Sequence, residues 1–122
     1  MSLTSGVHTN GILTRTAAAP IARGQLLKNA TDGKVTPCAA ATDVALYVAQ
    51  WDAKADQNVP CIVLGNMPGT ALVKVTAAVA IGDAINVLGA VAAAGSLTIG
   101  RALEVGAAND LIEVAHFATR TL

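Results

Sequence analysis

The side chains able to do chemistry are few and scattered: His8 and His116, Cys38 and Cys61, and eight carboxylates. Zinc needs three or four close ligands, and structural sites announce them as closely spaced Cys and His pairs. A set built from Cys38, Cys61, His116 and a carboxylate lacks that spacing. His116, between Ala115 and Phe117, reads as an ordinary strand residue. Cys38 with His116 would be the pair for nucleophilic catalysis, but Cys38 stands between Pro37 and Ala39-Ala40-Ala41 with no motif around it. The two cysteines leave open a disulfide or a pair of buried free thiols. The thiols are favoured, because Cys behaves as a small core residue. For acid–base work, Asp52 and Asp56 flank Lys54 in what reads as a solvated turn. Glu104 and Glu113 are expected on neighbouring strands, where Arg101 can neutralise one of them. Gly95-Ser96-Leu97-Thr98-Ile99-Gly100 lacks the Lys-Ser/Thr and the receiving helix of a phosphate loop. Asn29-Ala30-Thr31 matches a glycosylation acceptor in pattern alone. No catalytic, metal or cofactor constellation assembles, so an enzyme is not expected.

The elements that would carry these residues must come from an unusual composition. The chain has 122 residues, one domain's worth, able to bury roughly two-thirds of its unfolded surface. Hydrophobic residues make up 53%, yet aromatics only 2%, because the apolar count is dominated by 26 Ala and 13 Val. Charged residues are 13%, about half the usual quarter, and eight basic residues cancel eight acidic ones. Such a surface releases few phosphate counterions, which argues against nucleic acid as a partner. A disordered chain would be more polar and more charged. The longest uncharged stretch, Ala84 to Gly100, is broken by Gly89 and Gly95, so no membrane helix is expected. Met1 to Asn10 lacks the basic start and apolar core of a secretory signal.

Residues 1–19 are rich in Thr, Ser, Gly and Asn without a sustained period, and read as an extended arm that orders against a partner. From Pro20 onward, short apolar segments alternate with turn signals. Asp32-Gly33 marks a hairpin between Gln25–Lys28 and Lys34–Thr36. Further strands are expected over Ala45–Gln50, Pro60–Leu64, Thr70–Val75, Ala84–Leu88, Leu97–Leu103 and Leu111–Phe117. Asp43, Val44, Tyr47, Val48 and Trp51 also fit a capped amphipathic helix.

An apparent internal repeat decides that segment. Ile21-Ala22-Arg23-Gly24-Gln25-Leu26-Leu27 aligns with Val79-Ala80-Ile81-Gly82-Asp83-Ala84-Ile85, and Gly33-Lys34-Val35 with Gly89-Ala90-Val91. Tyr47 to Trp51 aligns with Gly100 to Glu104, and Ala55 to Val59 with Ala107 to Leu111. The second copy carries Gly100 and a β-branched pair at the contested place, which suits a strand. The expectation is an all-β domain over 20–122, a small β-barrel or β-sandwich of roughly seven to nine short strands. Residues 20–65 and 79–117 are its duplicated halves. Small side chains bury little apolar area each, so an oligomer or a docked partner is a natural further source of stability.

The phrases Ala80-Ile81-Gly82-Asp83-Ala84-Ile85, Gly89-Ala90-Val91, Ile99-Gly100-Arg101-Ala102-Leu103-Glu104 and Ala107 to Val114 resemble the small capsid decoration (cement or head-stabilising) proteins of tailed bacteriophages. The resemblance covers about residues 20–117 and leaves the arm without a counterpart. It implies a structural virion protein on the outer capsid surface, clamping neighbouring major capsid protein subunits, commonly as a homotrimer. Leu3, Val7, Ile12 and Leu13 would then be apolar contacts of the arm with the capsid, and Arg15 a polar one. The arm could add a strand to an exposed capsid sheet edge through backbone hydrogen bonds; a disordered tail is the plainer reading of the same residues. The alternative function is a β-rich carbohydrate- or ligand-binding module of a fibre or tail. It is disfavoured because sugar sites generally use exposed aromatics, and only Tyr47 and Trp51 are on offer.

Overall fold

β-branched and small apolar residues fall in short runs between turns, and these runs become strands of three to eleven residues in the computed structural model, which describes residues 11–66 and 68–122. Nine strands form, with one 3-10 turn at Thr31–Gly33 and no α-helix among the described residues. They are β1 (Ile12–Thr16), β2 (Leu26–Asn29), β3 (Val35–Pro37), β4 (Tyr47–Ala49) and β5 (Asn58–Val63), then β6 (Ala71–Lys74), β7 (Ala84–Asn86), β8 (Leu97–Ala102) and β9 (Leu111–Thr121). All strand pairs are antiparallel. One sheet has the order β1-β5-β4-β2-β3 and the other β6-β9-β8-β7. The chain is all-β, as expected, and the contested segment is strand β4.

Each sheet curls until its edges approach. Beyond β1, Ala17 bridges Val35 of β3 in parallel fashion, and the Ala18 N–H donates to the Val35 carbonyl at 2.8 Å. Beyond β6, the Thr76 N–H donates to the Gly89 carbonyl at 3.0 Å. The halves share further details. Ile21 bridges Ala53 where Val79 bridges Gly106. The Gly24 N–H donates to Ala49 at 2.8 Å, and the Gly82 N–H to Ala102 at 2.8 Å. Gln57 Oε1 closes its turn on the Lys54 N–H, as Asp110 Oδ2 does on the Ala107 N–H, each at 2.9 Å. Asp56 and Asn109 take positive φ at 69° and 72° in these turns, a conformation that Asp and Asn tolerate best among non-glycine residues. These contacts set Asp56 opposite Asn109, one residue along from the register the sequence suggests.

The core follows from strand alternation. In the first sheet Leu26, Val48 and Ile62 face a cluster shared with Val73, Ile85, Ile99 and Ile112 of the second half. Leu27, Tyr47, Ala49 and Cys61 face the opposite way, into a smaller cluster with Val35 and Val59. Both faces of that sheet are therefore buried, and this is why β4 reads as an unbroken apolar run. The amphipathic stripe does not survive, because Val44 and Trp51 at its ends are exposed.

Candidate docking surface

Ile12 to Thr16 belong to the fold. They form β1, paired with β5 from Ile12↔Ile62 to Thr16↔Asn58, so the compact domain begins before Pro20. Ile12 packs on the larger cluster and Leu13 on the smaller one. Ile12 and Leu13, expected as apolar contacts with a capsid, are each partly buried against the domain's own core. Arg15 is exposed. Leu3, Val7 and His8 lie outside the described residues. Gly11 O accepts from Val63 N–H and Ala17 N–H donates to Gln57 O, each at 2.8 Å. By the alternation of an antiparallel ladder, Thr14 and Thr16 thus turn their backbone N–H groups away from β5. Strand β1 presents an edge.

The sequence-selected chemistry is dispersed. Cys38 and Cys61 are free thiols, Cys61 buried and Cys38 half-buried. Burial pushes the Cys38 thiol up to about 11, with Asp43 adding to the shift and Lys28 opposing it. Burial likewise pushes Cys61 up to about 11, against the pull of Arg15. Both shifts disfavour the thiolate, the form that acts as a nucleophile. Among the described residues no three His, Cys, Asp or Glu side chains gather to hold a metal ion. Asp56 pairs with Lys34 at 3.0 Å rather than with Lys54. Arg101 neutralises neither glutamate: its Nη1 donates to the Gly82 carbonyl at 3.0 Å, while Glu104 Oε1 accepts from the Glu113 N–H at 2.7 Å.

His116 does something the sequence did not announce. Its Nδ1 accepts the Gly65 N–H at 2.9 Å, tying β9 to the turn that leaves β5. Its Nε2 is buried without a hydrogen-bond partner among the described residues, and burial holds its pKa below the ordinary histidine value. Gly65 has φ +82°, and a Cβ there would lie 2.6 Å from the Ala118 nitrogen, so only glycine permits this approach.

A second contact joins the halves. The Lys74 N–H on the outer edge of β6 donates to the Gly24 carbonyl at 2.8 Å. Gly24 stands at φ +80° and a Cβ on it would meet Leu111 Cδ2 at 2.4 Å. Beside this contact a cleft of about 290 Å³ opens between Arg23, Gln50, Trp51, Thr70 and Leu72. The Arg23 guanidinium lies 5.4 Å from the Trp51 ring centre, and Trp51 is 59% exposed. Tyr47 is buried and donates its hydroxyl to Asn29 Oδ1 at 3.0 Å, so it offers no platform to a ligand. Among the described residues the most exposed large apolar ones are Ile81 and Val105, at 68% and 69%, with Leu103 close to them in sequence and also exposed.

Nine strands in two curled antiparallel sheets define the class: an all-β domain. No protein-family model matches the chain, and no curated protein matches it in sequence. Among solved structures it is similar to the N base of the head fibre gp8.5 of bacteriophage phi29, with a TM-score of 0.69 and 16% identity. The match covers 91% of this chain and 97% of that one. The likeness is one of fold.

Proposed function

We propose that this chain is a structural, non-enzymatic virion protein that docks on the outer surface of a bacteriophage head. There it stabilises the shell by clamping neighbouring major capsid protein subunits. The observation that carries the reading is the fold shared, over nearly all of both chains, with the base of a phage head fibre. The surface agrees with it. A charge-poor exterior favours docking by shape and backbone contact, and the scarcity of aromatic anchors makes each contact modest. Several copies joined in one oligomer, a trimer in the first instance, would gain avidity by effective concentration. The residues preceding β1 are the proposed capsid arm, with Leu3 and Val7 as its apolar contacts and Arg15 at its root.

The test is co-sedimentation with heads assembled from the major capsid protein of the same virus. The full chain is expected to pellet with the heads and to raise the temperature at which they rupture. Deletion must stop at residue 10, because removing residues through 16 would delete β1 and unfold the domain. The chain lacking residues 2–10 is expected to bind roughly tenfold or more weakly, with an unchanged melting temperature. A full chain that leaves the heads unbound overturns the reading. Unaltered binding of the truncated chain removes the arm from it.

A further inference from the structure

Of the two aromatic side chains weighed above as sugar platforms, Tyr47 is buried and Trp51 is exposed. Three segments meet around Trp51, and backbone hydrogen bonds fix them. The turn Ala22–Gln25 brings Arg23, the residues leaving β4 bring Gln50 and Trp51, and the entry to β6 brings Thr70 and Leu72. The Arg23 N–H donates to Asp52 Oδ1 at 2.7 Å, and the Gln50 N–H to the Pro60 carbonyl at 2.9 Å. The Gly24 N–H donates to the Ala49 carbonyl, and the Gly24 carbonyl accepts from Lys74, each at 2.8 Å. The cleft is thus formed by the fold itself, as ligand sites usually are.

Its lining combines apolar surface with unused polar groups. Ala49, Ile62 and Ala71 are buried residues that contribute apolar lining, beside the exposed indole. Among the described residues neither the Arg23 guanidinium nor the Gln50 side-chain amide has a hydrogen-bond partner. Thr70 Oγ1 donates to Glu113 Oε2 at 2.6 Å and keeps its lone pairs for an incoming donor. Arg23 is the one cation of the lining, and Asp52 and Glu113 are tied to the cleft's edge by the bonds already given. One cation beside two carboxylates disfavours an anionic ligand.

A matching turn elsewhere in the chain shows that the fold does not require these side chains. The Gly82 N–H donates to Ala102 as the Gly24 N–H does to Ala49, and Val79 bridges Gly106 as Ile21 bridges Ala53. In that register Ile81 stands for Arg23, Leu103 for Gln50 and Glu104 for Trp51. The same backbone forms there without a guanidinium, an amide or an indole. The turns also differ in cover. A Cβ on Gly24 would meet Leu111 and the β6 backbone, whereas nothing lies within 4 Å of one on Gly82. Only the first turn has β6 as a second wall. A lone exposed tryptophan is ordinary; one set in a preformed cleft beside unpaired donors marks a binding site.

We propose that the cleft beside Trp51 is a subsite for a neutral oligosaccharide and takes one pyranose ring. A pyranose with equatorial substituents presents a face of C–H groups, which packs on the electron-rich face of the indole. Its rim of hydroxyls both donates and accepts. The Arg23 guanidinium and the Gln50 amide donate to that rim, and Thr70 Oγ1 accepts from it. A cleft of about 290 Å³ encloses one ring and leaves the next sugars of the chain outside. The guanidinium, 5.4 Å from the ring centre, steadies the indole by a cation–π contact, and the sugar takes the face left free. The site is additional to the capsid contacts and does not depend on them.

Trp51 is the only tryptophan, so its emission reports the cleft directly. Cellotetraose, maltotetraose and chitotetraose are titrated in turn into the full chain. At least one is expected to shift the emission saturably to the blue, with a dissociation constant on the order of 1 mM, as a contact through one ring gives. Arg23→Met and Gln50→Leu keep the side-chain stems and remove the hydrogen-bonding heads. Each is expected to weaken that titration about tenfold or more, with the wild-type melting temperature. Ile81→Gln, in the matching turn, is expected to leave it unchanged. If either cleft variant loses the native circular dichroism spectrum, Trp51→Ala followed by calorimetry takes its place. No saturable shift with any of the three sugars, or a shift that survives both variants, overturns the site. Co-sedimentation of the variants with heads separates the two readings. Variants that bind heads as the wild type does but no longer bind the sugar support the subsite. Variants that lose the heads, beside a wild type that ignores every sugar, make the cleft a contact for a capsid protein loop and overturn it.

Discussion

At the scale of single residues, His116 is a group whose protonation the fold controls through burial and a backbone hydrogen bond. Its Nδ1 can accept the Gly65 N–H only while unprotonated there. In the unfolded chain a histidine titrates near 6.5, and burial holds His116 below that in the fold. Between the two values the unfolded state binds more protons, so its contribution to stability is complete above about pH 6.5 and is lost as pH falls through the window. Melting temperature is therefore expected to fall between pH 7.5 and pH 5.5. His116→Gln, whose amide oxygen can still accept from Gly65, is expected to flatten that slope. An identical slope in the variant would clear His116 of the effect. No spacing announces this role, because the partner is a backbone N–H of a glycine remote in sequence. The cysteines are easier to read, since burial outweighs the pull of Lys28 on Cys38 and of Arg15 on Cys61.

At the scale of elements, strand β8 is tightly constrained at Gly100. A Cβ on Gly100 would lie 2.5 Å from the Ala115 carbonyl and 2.6 Å from Val114 Cγ1. Gly100→Ala must push β8 off β9, an overpacking that costs about 1–3 kcal/mol. A melting temperature lower by roughly 4–12 °C is the expected result, and an unchanged one would show that the ladder yields freely. Glycine inside a β-branched run is legible as close backbone approach, and it decided the strand reading of β4 through the repeat. Strand β1 was harder to see. Ile12 packs toward one cluster and Leu13 toward the other, so neither alternation nor a continuous run marks it, and Ile12–Thr16 reads as part of an arm.

At the scale of the whole molecule, the two halves are not independent. The larger core cluster draws Leu26, Val48 and Ile62 from the first half and Val73, Ile85 and Ile112 from the second. His116 and Gly24 add hydrogen bonds across the same boundary. Unfolding is therefore expected in one transition. Trp51 is the only tryptophan and reports the first half, whereas far-ultraviolet circular dichroism reports both. Their melting curves are expected to coincide. Two separated midpoints would show that the halves unfold apart and that the shared cluster couples them weakly.

The all-β class and the positions of eight of the nine strands follow from local propensity, turn residues and composition, and are legible in the sequence. It also placed the two glycine-bearing turns in matching positions. Tertiary structure alone decided that Ile12–Thr16 is an edge strand and that His116 fastens β9 to Gly65. It alone decided that Gly24 is covered while Gly82 is open. The physical reason is the same in each case. Local sequence sets which backbone conformation a segment prefers, but a covered or an open surface depends on which distant segment packs against it.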